Sequence, residues 1–213
     1  MRGRLISFEG PDGGGKTTQA RRLVARLERR GLGVVYTREP GGTAAGEAIR
    51  RILQHEEFPE PLCAEAEVLL FAASRAQLVR RVIRPALEGG LWVVADRFLD
   101  STTVYQGHAR GLGVEAVEAL HRIAVGDTRP DLTLILDSGP FEAALRLRRR
   151  QAGGGEAPDR LEREDAAFHE RVREGYRELA RREPQRCRWI DTSAPAETVE
   201  AAIWAEVERA GWL

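Results

Sequence analysis

Two rhythms of apolar positions alternate along the chain. Short runs that are apolar almost throughout occur at Leu5–Glu9 and at residues 34–37, 91–95, 132–136 and 188–190. Between them lie stretches in which apolar residues recur at helical spacing: 17–30, 44–53, 62–83, 113–125, from 141 onward, 166–179 and 196–210. In 17–30 the recurring residues are Ala20, Leu23, Val24 and Leu27, and in 62–83 a broad stripe is formed by Ala66, Leu69, Leu70, Ala73, Leu78 and Val82. Gly31 and Gly33 suit a helix end and turn, and Gly89-Gly90 another. Strands without polar alternation are those covered on both faces. The alternation therefore predicts an α/β fold, a three-layer sandwich around a five-stranded parallel sheet, with residues 1–213 forming a single domain. In such a sheet the loops that follow the strands gather at one edge, where ligands bind.

The loop after the first strand reads Gly10-Pro11-Asp12-Gly13-Gly14-Gly15-Lys16-Thr17-Thr18 and fits G-x-x-x-x-G-K-[ST]. Small residues let the backbone turn several N–H groups onto one centre, and the following helix adds its positive end, so polyphosphate is the ligand expected. Lys16 would reach the outer phosphates, and the Thr17 hydroxyl would join the shell of a Mg²⁺ ion. The plain alternative is a glycine-rich strand-to-helix turn that binds nothing. Other loops at the same edge carry further candidates. Arg38, in Arg38-Glu39-Pro40-Gly41-Gly42-Thr43, is either an anion contact or a solvated loop charge. Phe71 and Arg75 are four apart and share a helix face, which suits stacking on a base and bonding its edge, or else a core ring beside a surface charge. Asp96-Arg97 closes the third strand, as an acid for Mg²⁺ or for the acceptor's proton beside a phosphate-holding arginine, or as a structural ion pair. Phe98, Ser101, Thr102, Thr103, Tyr105 and Gln106 suggest a second pocket. Arginines 146, 148, 149 and 150 followed by Gly153-Gly154-Gly155 describe a flap over residues 146–160, or a charge-rich surface hairpin.

Composition changes the picture in a few places. Acidic and basic residues balance to a net charge of zero, so no global field recruits nucleic acid or a membrane surface. Lys16 is the only lysine and asparagine is absent, which excludes the asparagine–lysine–x–aspartate motif by which GTP switches read guanine. Cys63 and Cys187 match no metal spacing and read as ordinary small buried residues in a reduced, cytoplasmic setting. The first strand begins almost at once, with no apolar leader and no membrane-length run anywhere. Abundant arginine fits thermophily and GC-rich coding equally. A motor ATPase would use Asp96, but it would not explain the aromatic–arginine face, the second pocket and the flap together. A phosphotransferase with two nucleotide sites explains all three.

These segments together resemble the thymidylate kinase family. The resemblance is carried by Phe8 to Gln19, Arg38 to Thr43, Leu70 to Gln77, Asp96-Arg97-Phe98 with Ser101-Thr102, Tyr105-Gln106-Gly107, Arg129 to Thr133 and Asp159 to Glu162, and it runs nearly from end to end. It implies transfer of a phosphoryl group from ATP to dTMP with Mg²⁺, giving dTDP and ADP, a step of nucleotide biosynthesis. It implies that Phe71 stacks on thymine, Arg75 bonds the base edge, and Thr102 and Gln106 line the same pocket, with Ser101 beside them. Tyr105 would sit near the 2′ carbon and Asp12 near the 3′ hydroxyl. Arg38 and Arg97 would hold the acceptor phosphate, while Asp96 and Glu39 act through Mg²⁺ and water. Thr192 and Ser193 would lie near the donor's adenine. Residues 11–14 hold no arginine, so the chain resembles the members whose catalytic arginine lies in the flap, here Arg149 or Arg150. A homodimer is implied too, with the long helix from Leu62 as its candidate surface. A kinase of the same fold acting on another nucleotide, or a non-catalytic nucleotide-binding module, are the alternatives.

Overall fold

The computed structural model describes residues 2–154 and 157–213. Five strands, β1 (Leu5–Glu9), β2 (Val34–Arg38), β3 (Trp92–Asp96), β4 (Leu132–Asp137) and β5 (Cys187–Asp191), form one sheet in the order β2-β3-β1-β4-β5, with every pair parallel. The connecting helices are α1 (Lys16–Arg29), α2 (Ala44–Gln54), α3 (Ala64–Leu78), α4 (Arg84–Glu88), α5 (Leu99–Thr102), α6 (Val114–Ala124), α7 (Pro140–Ala152), α8 (Ala166–Arg182) and α9 (Ala196–Arg209). They cover both faces, which is why the strands show no polar alternation. Ile6 and Phe8 of β1, Val94 of β3 and Leu134 and Leu136 of β4 pack with Leu23 and Leu27 of α1 and Ile203 and Trp204 of α9. Residues pointing the other way, Leu5, Val93 and Ala95, pack with Leu78, Val79 and Ile83. Ile135 joins Val172 and Tyr176 of α8 in a third cluster.

Four strands run one residue beyond the runs read from the sequence, to Arg38, Asp96, Asp137 and Asp191. Hydropathy stops at the apolar residue, whereas the hydrogen-bond ladder does not: Arg38 pairs with Asp96 and Asp137 with Asp191. Charged residues are thereby fixed on rigid strand ends at the edge where the phosphate loop lies.

The structure corrects several expectations. Residues 62–83 are not one uniform helix: α3 passes through a π-helical turn at Val79–Ile83 into α4. The wider turn lies just before Pro85, whose ring and missing N–H cannot extend the α-helical ladder. The apolar stripe is not the buried face of this helix as a whole: Leu69 is 55% exposed, while Glu67, Val68, Phe71, Ser74 and Arg75 face inward together with Leu78 of the stripe. Hydrophobicity failed here because the inner face is polar by need, being next to the site. Residues 99–109, to which the sequence assigns no element, are helical, as α5 followed by a π-helical turn at Thr103–Ala109. Local propensity is poor for Ser-Thr-Thr-Val, and packing of this segment against α8 overrides it. Cys63, expected to be buried, is exposed at the start of α3, while Cys187 is buried as expected, and both are free thiols.

Candidate active site

The phosphate loop leaves β1 and enters α1 through backbone that only glycine adopts without strain. Gly10 has φ 124°, Gly13 φ 79° and Gly15 φ 85°. A Cβ on Gly10 would stand 2.1 Å from the Leu136 carbonyl oxygen of β4. Gly10→Ala is therefore expected to cost roughly 1–3 kcal/mol or more in stability, read as a lower denaturant midpoint at unchanged slope. Helix α1 receives no side-chain cap, which leaves the N–H groups of its first turn to a ligand. Lys16 folds back over the loop, donating to the carbonyls of Gly10 (3.0 Å) and Pro11 (2.7 Å). Burial, and after it the charge of Arg97, lower its ammonium from the usual range to about 8. An anion at the loop would reverse that shift.

A cleft of about 470 Å³ opens over this loop, walled by Asp12, Lys16 and Thr17 from the loop and the start of α1, by Arg38, Asp96 and Arg97 from the strand ends and by Arg146, Arg150, Asp159 and Glu162 from the flap. Three expectations meet here: phosphate loop, strand-end charges and basic flap. The Thr17 hydroxyl donates to Asp96, so two hard oxygens sit side by side at the end of β3. Arg38 is half exposed and paired with Glu47 at 2.9 Å. Arg97 holds φ at 69°, the only left-handed non-glycine residue among those described. Its Nη2 donates to Asp12 and to the Tyr105 hydroxyl (3.2 Å), and that hydroxyl donates to the other Asp12 oxygen (3.1 Å). Burial alone would raise the Asp12 carboxyl, but Arg97 and Lys16 outweigh it and hold the group well below the usual carboxylate range.

Behind the cleft lies a narrower cavity lined by Asp12, Phe71, Arg97, Ser101, Thr102, Tyr105 and Gln106. It unites the residues expected around a base and sugar, save one. Arg75 does not line it; it is fully buried behind, bonded to Glu39 (2.7 Å) and to the Phe98 carbonyl (3.2 Å), with Nη1 unpartnered. The reading of Arg75 as a surface charge is thus excluded. The Thr102 hydroxyl is likewise buried without a partner, whereas Gln106 donates to Glu67 at 2.7 Å. Burial raises the Glu39 carboxyl, opposed by Arg75.

A third cavity, about 190 Å³, lies between the phosphate loop and the start of α9 and is lined by Gly14, Gly15, Thr18, Arg146 and Thr192. Ser193 is turned away, toward a separate cavity beside Trp189 and Arg173. In the flap, Arg150 faces the main cleft and pairs with Glu162 (2.8 Å), while Arg149 lines none of these cavities. Gly155, part of the expected flap loop, lies outside the described residues.

The sequence reading gave three contributors no site role of their own. Arg146, named only as part of the flap, reaches Gly13 (3.4 Å) across the phosphate loop, and the signal was available: 146 and 150 are four apart on α7 and share a face that 149 does not. Gln54, whose Oε1 is buried and unpartnered, lines both the main cleft and the narrow cavity. Tyr176, wholly buried on α8, bonds to Ser101, Arg97 and Glu9. Nothing local marked either of the latter two.

Comparison with known proteins gives the same result from three directions. The family model for thymidylate kinase matches residues 8–203. The thymidylate kinase of Rhizorhabdus wittichii is 51% identical over 204 residues, covering 95% of this chain and 96% of its own. That of Nitrobacter winogradskyi is 48% identical over 205 residues, covering 96% of this chain and 88% of its own. Among solved structures, the crystal structure of thymidylate kinase from Ehrlichia chaffeensis superposes with a TM-score of 0.78 at 31% identity, covering 98% of this chain and 99% of that one. By sequence along nearly its whole length and by fold, this chain belongs to the thymidylate kinase family.

Proposed function

We infer that this chain is a kinase converting dTMP to dTDP at the expense of ATP, and that the paired cavities around Arg97 are where it does so. The observation that carries the site assignment is their continuity: Asp12, Gln54, Arg97 and Asp159 line both the phosphate cleft and the Phe71 cavity, so a base held by Phe71 delivers its phosphate toward the loop. Phe71 stacks on thymine, the unpartnered Thr102 hydroxyl is the lining group left for the base edge, with Arg75 Nη1 also unpartnered behind that wall, and Gln106 completes the wall. Tyr105 and Asp12 lie where the sugar passes, with Ser101 below them. Arg38 and Arg97 take the acceptor phosphate.

The donor's outer phosphates rest on residues 10–18 with Lys16 over them, and its base lies against Thr192 and Arg146. Phosphoryl transfer asks the protein for alignment and charge neutralisation rather than covalent chemistry. Arg97 from below and Arg150 from the lid supply the positive charge, and Arg150 is preferred to Arg149 because it faces the cleft. The adjacent oxygens of Thr17 and Asp96 suit a hard cation, so these residues would hold Mg²⁺ directly or through water. Mg²⁺ there would neutralise phosphate charge. Residues 146–160 act as the lid of a single kinase domain.

The homodimer surface is assigned to the outward face of α3 with α6, where Leu69 is 55% and Ile123 77% exposed on two packed helices. No helix among the described residues is long and apolar enough to cross a membrane. A cytoplasmic setting, with no nucleic-acid or membrane partner, accords with two unpaired thiols and a net charge of zero.

The test is ADP release with ATP and Mg²⁺ against dTMP, dUMP, UMP, CMP, AMP and thymidine in parallel. Turnover dominated by dTMP is expected. Dominance of another acceptor would discard the base-pocket assignment while keeping the phosphate chemistry, and binding of ATP and dTMP without turnover would mark a non-catalytic module.

A further inference from the structure

Arg97 is gripped from two sides, and the inner grip is anchored on Glu9 and Tyr176, which line none of the cavities. Its Nη1 donates to Ser101 Oγ (3.0 Å), to the Tyr176 hydroxyl (3.4 Å) and to the Gly10 carbonyl (3.3 Å). Behind the two hydroxyls lies Glu9, the last residue of β1, with no exposed surface. Glu9 Oε1 accepts the Phe98 amide (2.8 Å), and Oε2 accepts the hydroxyls of Ser101 (2.6 Å) and Tyr176 (3.0 Å). A guanidinium can only donate and an ionised carboxylate can only accept, so the two hydroxyls held between them, themselves 3.1 Å apart, turn lone pairs to Arg97 and pass their protons toward Glu9. At least one gives its proton directly to Glu9, and the other gives it to Glu9 or to its neighbouring hydroxyl. A protonated Glu9 would donate to one of these hydroxyls, which would then have to turn its own proton to the other, and the pair would lose the charged acceptor behind Arg97.

We propose that Glu9, acting through the hydroxyls of Tyr176 and Ser101, is the positioning residue that fixes Arg97 for phosphoryl transfer, and that its ionised form does so. The inference rests on the assignment of Arg97 to the phosphates. It also accounts for the left-handed backbone of Arg97, a conformation that persists only where its surroundings over-determine it. Several charged or titratable groups surround Glu9. Arg97 and Asp100 lie beyond β3, the latter bound to Arg186 at 2.6 Å, and Lys16 lies on α1. Tyr105, Tyr176 on α8 and Cys187 on β5 complete the set. Burial first and Asp100 second raise the Glu9 carboxyl to about 7, against the hydrogen bonds and Arg97. The arrangement is thus complete above that pH and lost as pH falls through it.

The experiment measures kcat, the KM values for dTMP and ATP, and the thermal midpoint across pH for the unmodified chain and for Tyr176→Phe, Glu9→Gln and Arg97→Ala. In the unmodified chain kcat should fall on the acid side with a midpoint near 7. Tyr176→Phe removes one donor from the carboxylate, so that midpoint should move to higher pH, with kcat lowered about fivefold. Glu9→Gln puts an NH₂ where only donors converge. It should abolish the acid limb and lower kcat about tenfold or more on the plateau. If Glu9→Gln fails to fold, Tyr176→Phe carries the test alone. An unmoved acid limb with unchanged kcat in the folded variants, even with a lower thermal midpoint, overturns the proposal and leaves Glu9 a structural group. Loss of turnover in Arg97→Ala alongside that result removes this inference only. Full turnover in Arg97→Ala removes both it and the site assignment beneath it.

Discussion

Arg97→Ala is expected to lower kcat by about 10³-fold or more, the scale seen when an arginine that neutralises a transferring phosphoryl group is lost. The side chain is the junction of the site, joined to Asp12, Ser101, Tyr105 and Tyr176. Arg97→Lys should fall between, because an ammonium keeps the charge but not the planar fork that reaches both sides at once. A folded variant is recognised by its thermal midpoint, and here the sign is fixed by Asp12. The carboxyl of Asp12 is depressed in the folded protein by Arg97 and Lys16 against its burial, so it stabilises the fold above its unfolded pKa. That contribution fades as pH falls through the folded value. The midpoint deficit of Arg97→Ala should therefore be largest near neutrality and narrow toward acid pH. Near-native turnover in a folded Arg97→Ala protein would end the assignment of Arg97.

Phe71→Ala should act on the acceptor and not on the chemistry. Stacking of a base on an aromatic ring is worth roughly 1–3 kcal/mol, so the KM for dTMP should rise roughly tenfold to a hundredfold. The KM for ATP should stay put, because the cavity proposed for the donor base, at Thr192, is not lined by Phe71. Phe71 also packs in the α8 cluster, so truncation costs stability, on the order of 3–5 kcal/mol for a large aromatic. Phe71→Leu keeps most of that packing and discards the flat ring. An equal rise in dTMP KM in both variants assigns the effect to stacking. Unchanged dTMP saturation in a folded Phe71→Leu would return the ring to the core.

What could be read from the chain without its fold was whatever is local and contiguous. The phosphate loop is nine consecutive residues whose conformation is dictated by glycine at 10, 13 and 15. The five strands were legible because burial on both faces leaves unbroken apolar runs, and their parallel order followed from strand–helix alternation. Arg38, Asp96 and Arg97 could be expected to line one cleft, as they do, because in a parallel sheet every strand ends at the same edge. The sequence also placed Phe71 and Arg75 on one helix face, and both are buried, which excludes the surface arginine that it had left open.

Direction and partnership were decided only by the tertiary structure. Which arginine of 146, 149 and 150 meets the cleft depends on how α7 is rotated over the phosphate loop. Whether Arg75 borders the base cavity or stands behind it depends on Glu39, 36 residues away. The buried face of α3 carries Glu67, Ser74 and Arg75 because polar groups that partner one another can be interior, something hydropathy scores against. The helix at residues 99–109 forms against its own propensity because α8 packs on it. Glu9 and Tyr176 are 167 residues apart, and nothing near either hinted at the other. A local pattern fixes where strands and helices fall because that depends on neighbouring residues, whereas the strand order β2-β3-β1-β4-β5 depends on how the helices pack across the sheet. A charged group's orientation and proton count depend on whatever the fold brings beside it, which here comes from α1, β1, the β3 loop and α8 together.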